Sequence, residues 1–435
     1  MTVTAGLAGM TACHGLLDTT DPTLIRDSDI TNASGAEGRR MALMTQWAVY
    51  SPRIVSAVAL FTDERGVDAQ SFDAYPYTND WVLDARDSTT FQTANQTSDP
   101  VLGILTQVYW TSALAIHALE QYGAPATKNE YAAQTFAIRG HTVLQIAEDI
   151  CSGFPLNDVE ANDRPVLSMA ITTDSALRYA VALFDSALVH GKDSTAFLDL
   201  ARVLKGRALL DLGRYQDAAA TVAEVPSEFV YVPDAINGGF NLFASDGQYS
   251  DPSAGFAYLA ENREGENGLA FVAEHDSRVP TVYLRQRSIV PADSMFIQTK
   301  YPSQDIRIIV ASGVEARLIE AEAAYNANNP SWFDKLNALR TGAGLTPVAT
   351  MPATDTDRVN LIFHERAFWM YLTGHRLGDL RRLVRYYHRD PETIYPSGDY
   401  PIFGMKYGKA TAIPFVYRLA QGFNPNITSG CAATP

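Results

Sequence analysis

Between residues 99 and 151 apolar side chains recur at three- and four-residue steps. Ala133, Phe136, Gly140, Val143, Ala147 and Cys151 make one stripe, the spacing of a helix with one buried face. YGAPATKNE, residues 122–130, interrupts the run, so the segment is predicted as two helices forming an αα-hairpin. The pattern returns in TTDSALRYAVALFDSALVHG, which opens on Thr and Asp as N-cap residues and sets Leu177, Val181, Phe184 and Leu188 on one face. In residues 197–226, Ala201, Leu204 and Ala208 share a helix, Gly213 and Tyr215 mark a turn, and Ala218 lies on the next helix. Small residues let paired helices approach closely, so this unit looks like a tetratricopeptide repeat. Residues 311–340 and 364–387 predict two more helical pairs, and residues 36–61 a further helix. Spacing between the units is irregular. The predicted fold is mainly α, with tetratricopeptide-like helix pairs forming a right-handed scaffold.

The helical period lapses twice. Residues 62–98 contain SFDAYPYTNDWVLDARDSTTFQ, rich in aromatics and Asp, and residues 229–308 are dense in Gly, Asn, Asp and aromatics. Both are predicted as long loops, and loops of that length in a compact protein usually carry function. Residues 391–435 hold six prolines and are expected to wrap the surface in extended form.

Composition narrows the partners. The chain has 435 residues, 46% hydrophobic and 19% charged, which allows a sizeable core. Its net charge of -15 argues against nucleic acid, whose phosphates need basic surface. The opening stretch MTVTAGLAGMTAC is apolar or small throughout and resembles the end of a bacterial lipoprotein signal, with Cys13 as the acylated residue. Residues 1–13 are therefore expected to be a signal remnant. If Cys13 carries lipid, Cys151 and Cys431 remain as an even pair, and a disulfide between them in an oxidising compartment becomes plausible.

Motifs for catalysis are incomplete. HERAF begins like a zincin helix, but the second histidine would stand at Phe368, so His364 lacks its metal-binding mate. HGKDST lacks the upstream glycine of a phosphate loop, RTGAGL lacks dinucleotide-site context, and no G-x-S-x-G is present. No catalytic residue, cofactor or metal ligand is assigned. A glycan hydrolase working through carboxylates such as the pair Asp63–Glu64 stays as a third reading, behind binding and scaffold functions.

The most unusual chemistry is HERAFWMYLTGHRLGDLRRLVRYY, residues 364–387, which interleaves five arginines with large apolar side chains. A catalytic site, an anion-binding surface and a structural ion network all fit that composition. Guanidinium forks match carboxylates in a bidentate way. The preferred reading is a structural network of Glu365, Arg366, His375, Arg376, Asp379 and Arg382. In it Glu365 and Asp379 are each clamped by arginines from the adjoining helix, and Gly374 turns the chain between the two.

The same residues carry a resemblance. The E-R pair Glu365–Arg366, the triplet Gly374–His375–Arg376 and the run Asp379–Leu380–Arg381–Arg382 resemble, in that order, the C-terminal signature of the SusD/RagB family. VEARLIEAEAAY with LNALR, HDSRVP at 275–280, FAIRGHTVLQIAEDICSGFPLND and CHGLLDTTDP are similar to further family segments. The resemblance implies one domain over residues 14–435, with loop-rich ligand-binding insertions around 62–98 and 229–308. It also implies a non-catalytic lipoprotein on the outer face of the outer membrane. Such a protein captures oligosaccharides, or peptides in some branches, for a SusC-type TonB-dependent transporter. A periplasmic helical-repeat scaffold for another protein is the runner-up. The family has no fixed ligand motif, so the ligand site is argued from chemistry: sugar rings stack on aromatics and hydroxyls pair with polar side chains. Tyr75, Tyr77 and Trp81, flanked by Asn79, Asp80 and Asp84, have that composition, and Tyr249 and Tyr258 come second. Each of these aromatics could instead pin its own loop to the scaffold.

Overall fold

The computed structural model describes residues 30–69, 98–160, 164–233, 256–286, 294–303 and 306–398. Among them are ten α-helices. The first six are α1 (Ala33–Phe61), α2 (Ser98–Tyr122), α3 (Lys128–Asp149), α4 (Thr173–His190), α5 (Thr195–Asp211) and α6 (Tyr215–Val222). The remaining four are α7 (Gly313–Asn326), α8 (Ser331–Gly342), α9 (Asp355–Trp369) and α10 (Arg376–Tyr387).

Local sequence accounts for where several helices start. Asn32, Thr172, Ser312 and Thr354 are extended N-cap residues whose side chains accept from the backbone N–H three residues on, at Gly35, Ser175, Glu315 and Asp357. Each cap satisfies a donor that the first turn leaves open. Gly213, at φ +69°, turns the chain after α5, a conformation that glycine adopts without a Cβ penalty.

Helices α1 to α8 pack on one another in chain order, each against the next, so the scaffold grows by adding neighbours. One continuous core runs through it, including Leu43, Trp47, Val58, Leu144, Phe184, Leu204 and Ile319. Along α3 the expected stripe is buried apart from Phe136, which is half-buried and stacks on His190. Gly140 allows the closest approach of α3 and α4: a Cβ there would lie 2.6 Å from Cε1 of Phe184. The final helix, α10, folds back against α1 and α3.

Strands correct the expectation of featureless loops. β1 (Arg65–Ala69) pairs antiparallel with β7 (Phe256–Ala260), joining the start of the first loop-rich segment to the interior of the second. β8 (Thr281–Gln286) and β9 (Ser294–Gln298) form an antiparallel hairpin with a bulge between Tyr283 and Arg285. Short ribbons also form between β2 (Phe154–Pro155) and β5 (Ala170–Ile171) and between β3 (Asp158–Val159) and β4 (Pro165–Val166). A last ribbon joins β6 (Val230–Tyr231) to β10 (Ala311–Ser312). Ribbons this short give little periodicity to read, and most draw their stability from the scaffold beneath. A second core, with Val55, Phe271, Tyr301, Ile308, Phe368 and Tyr371, seats Leu269, Phe271, Val279, Tyr301 and Ile308 on α1 and α9. Among the described residues no helix is long and apolar enough to cross a membrane.

Candidate functional site

The arginine-rich hairpin of α9 and α10 lies inside the molecule. Arg366, which has no exposed surface, donates from Nε and Nη2 to Asp379 at 2.9–3.1 Å. Arg382 bridges three acids: Asp379 at 2.7 Å, Asp211 at 2.9 Å, and both oxygens of Glu322 at 3.1–3.2 Å. Asp379 is thus clamped from the adjoining helix and from its own. Burial alone would raise its carboxyl, but Arg366 and Arg382 hold it far below the usual carboxylate range.

One pairing differs from the expectation. Glu365 is not held by α10; Arg278 donates to it at 2.7 Å and Arg340, on α8, at 2.6 Å. Glu365 faces away from α10, toward the segment carrying Asp276, which also takes Arg278 at 2.7 Å. Burial pushes the Glu365 carboxyl up, but His364, Arg278 and Arg340 overcome it and hold it at about 2. Arg376 does not pair with Asp379 three residues on. It forms a two-pronged pair with Asp63, after the end of α1, at 2.7 and 2.8 Å, and the Leu269 N–H completes that carboxylate at 2.9 Å. His375 meets Glu315 at 3.1 Å, and Arg207 donates to the same oxygen at 2.8 Å. His364, the half-motif for zinc, contacts Glu274 at 3.0 Å and stacks on Phe368.

Several buried ionisable groups have partners that the sequence reading did not assign. Arg381 donates to the Ala147 carbonyl at 2.7 Å and to that of Glu148, tying α10 to the end of α3. Glu64 accepts from the Leu372 N–H at 2.8 Å, and burial pushes its carboxyl up to about 8. Leu372 sits at φ +52° and Gly374 at +81°, so the turn before α10 is built around that contact rather than continuing the apolar face of α9. Lys300 is pushed down to about 8 by burial and donates to the Tyr371 carbonyl.

The aromatic ligand candidates divide differently. Tyr75, Tyr77, Asn79, Asp80, Trp81, Asp84 and Tyr249 lie outside the described residues, as do Cys13 and Cys431. Tyr258 is buried, with the Arg65 guanidinium 3.7 Å from its ring centroid, so it cannot offer a face to a sugar. Tyr283 on β8 is 54% exposed and meets Phe296 across the hairpin edge to face at 5.7 Å. Cys151 is buried and disulfide-bonded; whether it joins Cys13 or Cys431 lies outside the described residues.

This architecture, a mainly α scaffold with hairpin insertions and an ion-paired C-terminal hairpin, is SusD-like. A SusD-like protein of Bacteroides fragilis NCTC 9343 is 12% identical, with a TM-score of 0.65 over 94% of this chain and 98% of its own. Surface glycan-binding protein A of Bacteroides uniformis is 13% identical, with a TM-score of 0.63 over 92% and 99%. The protein of the same description from Bacteroides thetaiotaomicron, in complex with laminarihexaose, is 13% identical, with a TM-score of 0.59 over 87% and 94%. Residues 314–421 match the model of the SusD family, and no curated protein matches the chain. The likeness to the SusD/RagB family is carried by this C-terminal match and by the shared fold.

Proposed function

We propose that this protein is a cell-surface lipoprotein that captures oligosaccharides and passes them to a SusC-type TonB-dependent transporter of the outer membrane, without catalysing their cleavage. The observation that carries the reading is the fold shared with a relative solved around laminarihexaose. The chemistry agrees: the sequence of residues 62–98 is rich in aromatics and Asp, and sugar C–H faces stack on aromatic rings. In this reading the buried arginine pairs are architectural. They lock α9 and α10 to the scaffold that holds the ligand loops, and Cys431 is the mate of Cys151.

Retention on a glycan array tests capture. Trp81→Ala is expected to weaken oligosaccharide retention roughly fivefold, about 1 kcal/mol of stacking, with an unchanged Tm; Tyr283→Ala provides the same test for the β8–β9 hairpin. Unchanged retention would remove that ring from the site. Anchoring is tested separately: Cys13→Ala, expressed with a full signal, is expected to leave the membrane fraction. A mutant that still carries an acyl group would end the lipid assignment.

A further inference from the structure

Two carboxyl oxygens deep in the scaffold have no donor: Oε2 of Glu148, in the last turn of α3, and Oδ2 of Asp211, at the end of α5. Their side chains are 3% and 7% exposed, and both line one small cavity with Thr173, Arg381, Arg382 and Arg385. The nearby guanidinium groups bond mainly elsewhere, although Nε of Arg381 is also without a partner. Arg207 serves Glu315 and the Val310 carbonyl, and its Nη1 stays 3.8 Å from Glu148. Arg382 reaches only Oδ1 of Asp211, Arg381 serves the carbonyls of α3, and Arg385 pairs with Asp174. Asp211 itself lies within hydrogen-bonding reach of Glu148.

Two adjacent acceptors with no donor are satisfied together by a single proton, whereas two buried anions side by side would repel in a low dielectric. We propose that Glu148 and Asp211 hold one proton between them, Glu148 Oε2–H donating to Asp211 Oδ2, and that its loss at alkaline pH loosens α10 from α3 and α5. The consequence for α10 follows from its contacts: Arg381 grips the end of α3 while Arg382 and the Tyr386 hydroxyl grip Asp211. A second negative charge forces apart the two ends that α10 straddles.

Other titratable groups surround that proton. Burial raises Glu148 well above the ordinary carboxylate range; Arg207 opposes the rise, and Asp211 and Asp149 add to it. Burial also lifts Asp149 to about 8. His141 is kept neutral by burial and Arg207, and burial and Arg207 also lower His375. Glu315, Glu322 and Asp379 on the facing elements each have an arginine of their own. Because the folded value is raised, the pair stabilises fully below the unfolded carboxylate value near 4.5. That contribution is lost as pH rises toward the folded value.

Glu148→Gln replaces the shared proton with a carboxamide donor that cannot titrate. The ratio of wild-type to variant folding equilibrium constants, from urea unfolding, is expected to fall tenfold per pH unit from neutral pH until the pair ionises. Parallel profiles would overturn the proposal. Neutron diffraction of the wild-type protein at neutral pH reads the proton directly. A deuterium between Oε2 and Oδ2 supports the pair; a bridging water or a cation between two ionised carboxylates refutes it.

Discussion

Arg382→Met is expected to lower the unfolding free energy by about 3–5 kcal/mol in urea denaturation. The side chain is 2% exposed and meets Asp211, Glu322 and Asp379 at once. Methionine fills much of the volume, so the loss is electrostatic. Removing the cation leaves buried carboxylates without their donor, and breaking one buried pair in this way typically costs that much even where the intact pair adds little. Part of the charge stays covered, because Arg366 still holds Asp379 at 2.9 Å. Arg164→Ala is the control: Arg164 and Glu160 form a pair at the surface, 70% and 41% exposed, and no measurable change is expected. Equal effects of the two substitutions would show that the buried network is not ionised.

The second large effect is pH-dependent. Glu365 is held at about 2 against an ordinary 4.5, a difference that stabilises the folded state by about 3 kcal/mol at neutral pH. The folded value is depressed, so this stability is complete above the unfolded value of 4.5. It is lost as pH falls toward 2. Glu365→Gln should therefore be less stable than wild type at pH 7 by about 2–3 kcal/mol, with the gap closing between pH 4.5 and 2. A gap independent of pH would mean that Glu365 is not the ionised partner of Arg278 and Arg340. Asp63, Glu315 and Asp379 are depressed in the same direction by their own arginines. Acid unfolding of the whole protein should accordingly be steep. At the alkaline end Glu64, Glu148 and Asp149 act in the opposite sense, since burial has raised them.

The contrast between these groups shows what kind of information each rests on. Glu365, Arg366, Asp379 and Arg382 stand within one hairpin, and their alternation with Phe368 and Leu380 already marks them as charges set among apolar neighbours. Their actual mates do not follow from that spacing. Arg376 passes over Asp379, three positions away, for Asp63, 313 positions away, and Glu365 turns to Arg278 and Arg340. A guanidinium can meet whichever carboxylate its helix is packed against, so the choice belongs to the stacking of helices. The β1–β7 and β8–β9 ribbons show the same limit, because strands of five or six residues carry too little pattern to be told from loop.

By itself, the chain determined its helices, since a buried face every three to four residues and a capping Asn, Ser or Thr are satisfied within a turn or two. It also determined that its C-terminal arginines need acids, because charge among Phe, Trp and Leu cannot stay unpaired. Only the folded molecule decided which acids those are, which insertions become hairpins, and which carboxyls outnumber their arginines and so keep a proton. These depend on contacts between residues tens to hundreds of positions apart, where no local spacing rule acts and packing alone sets the distance.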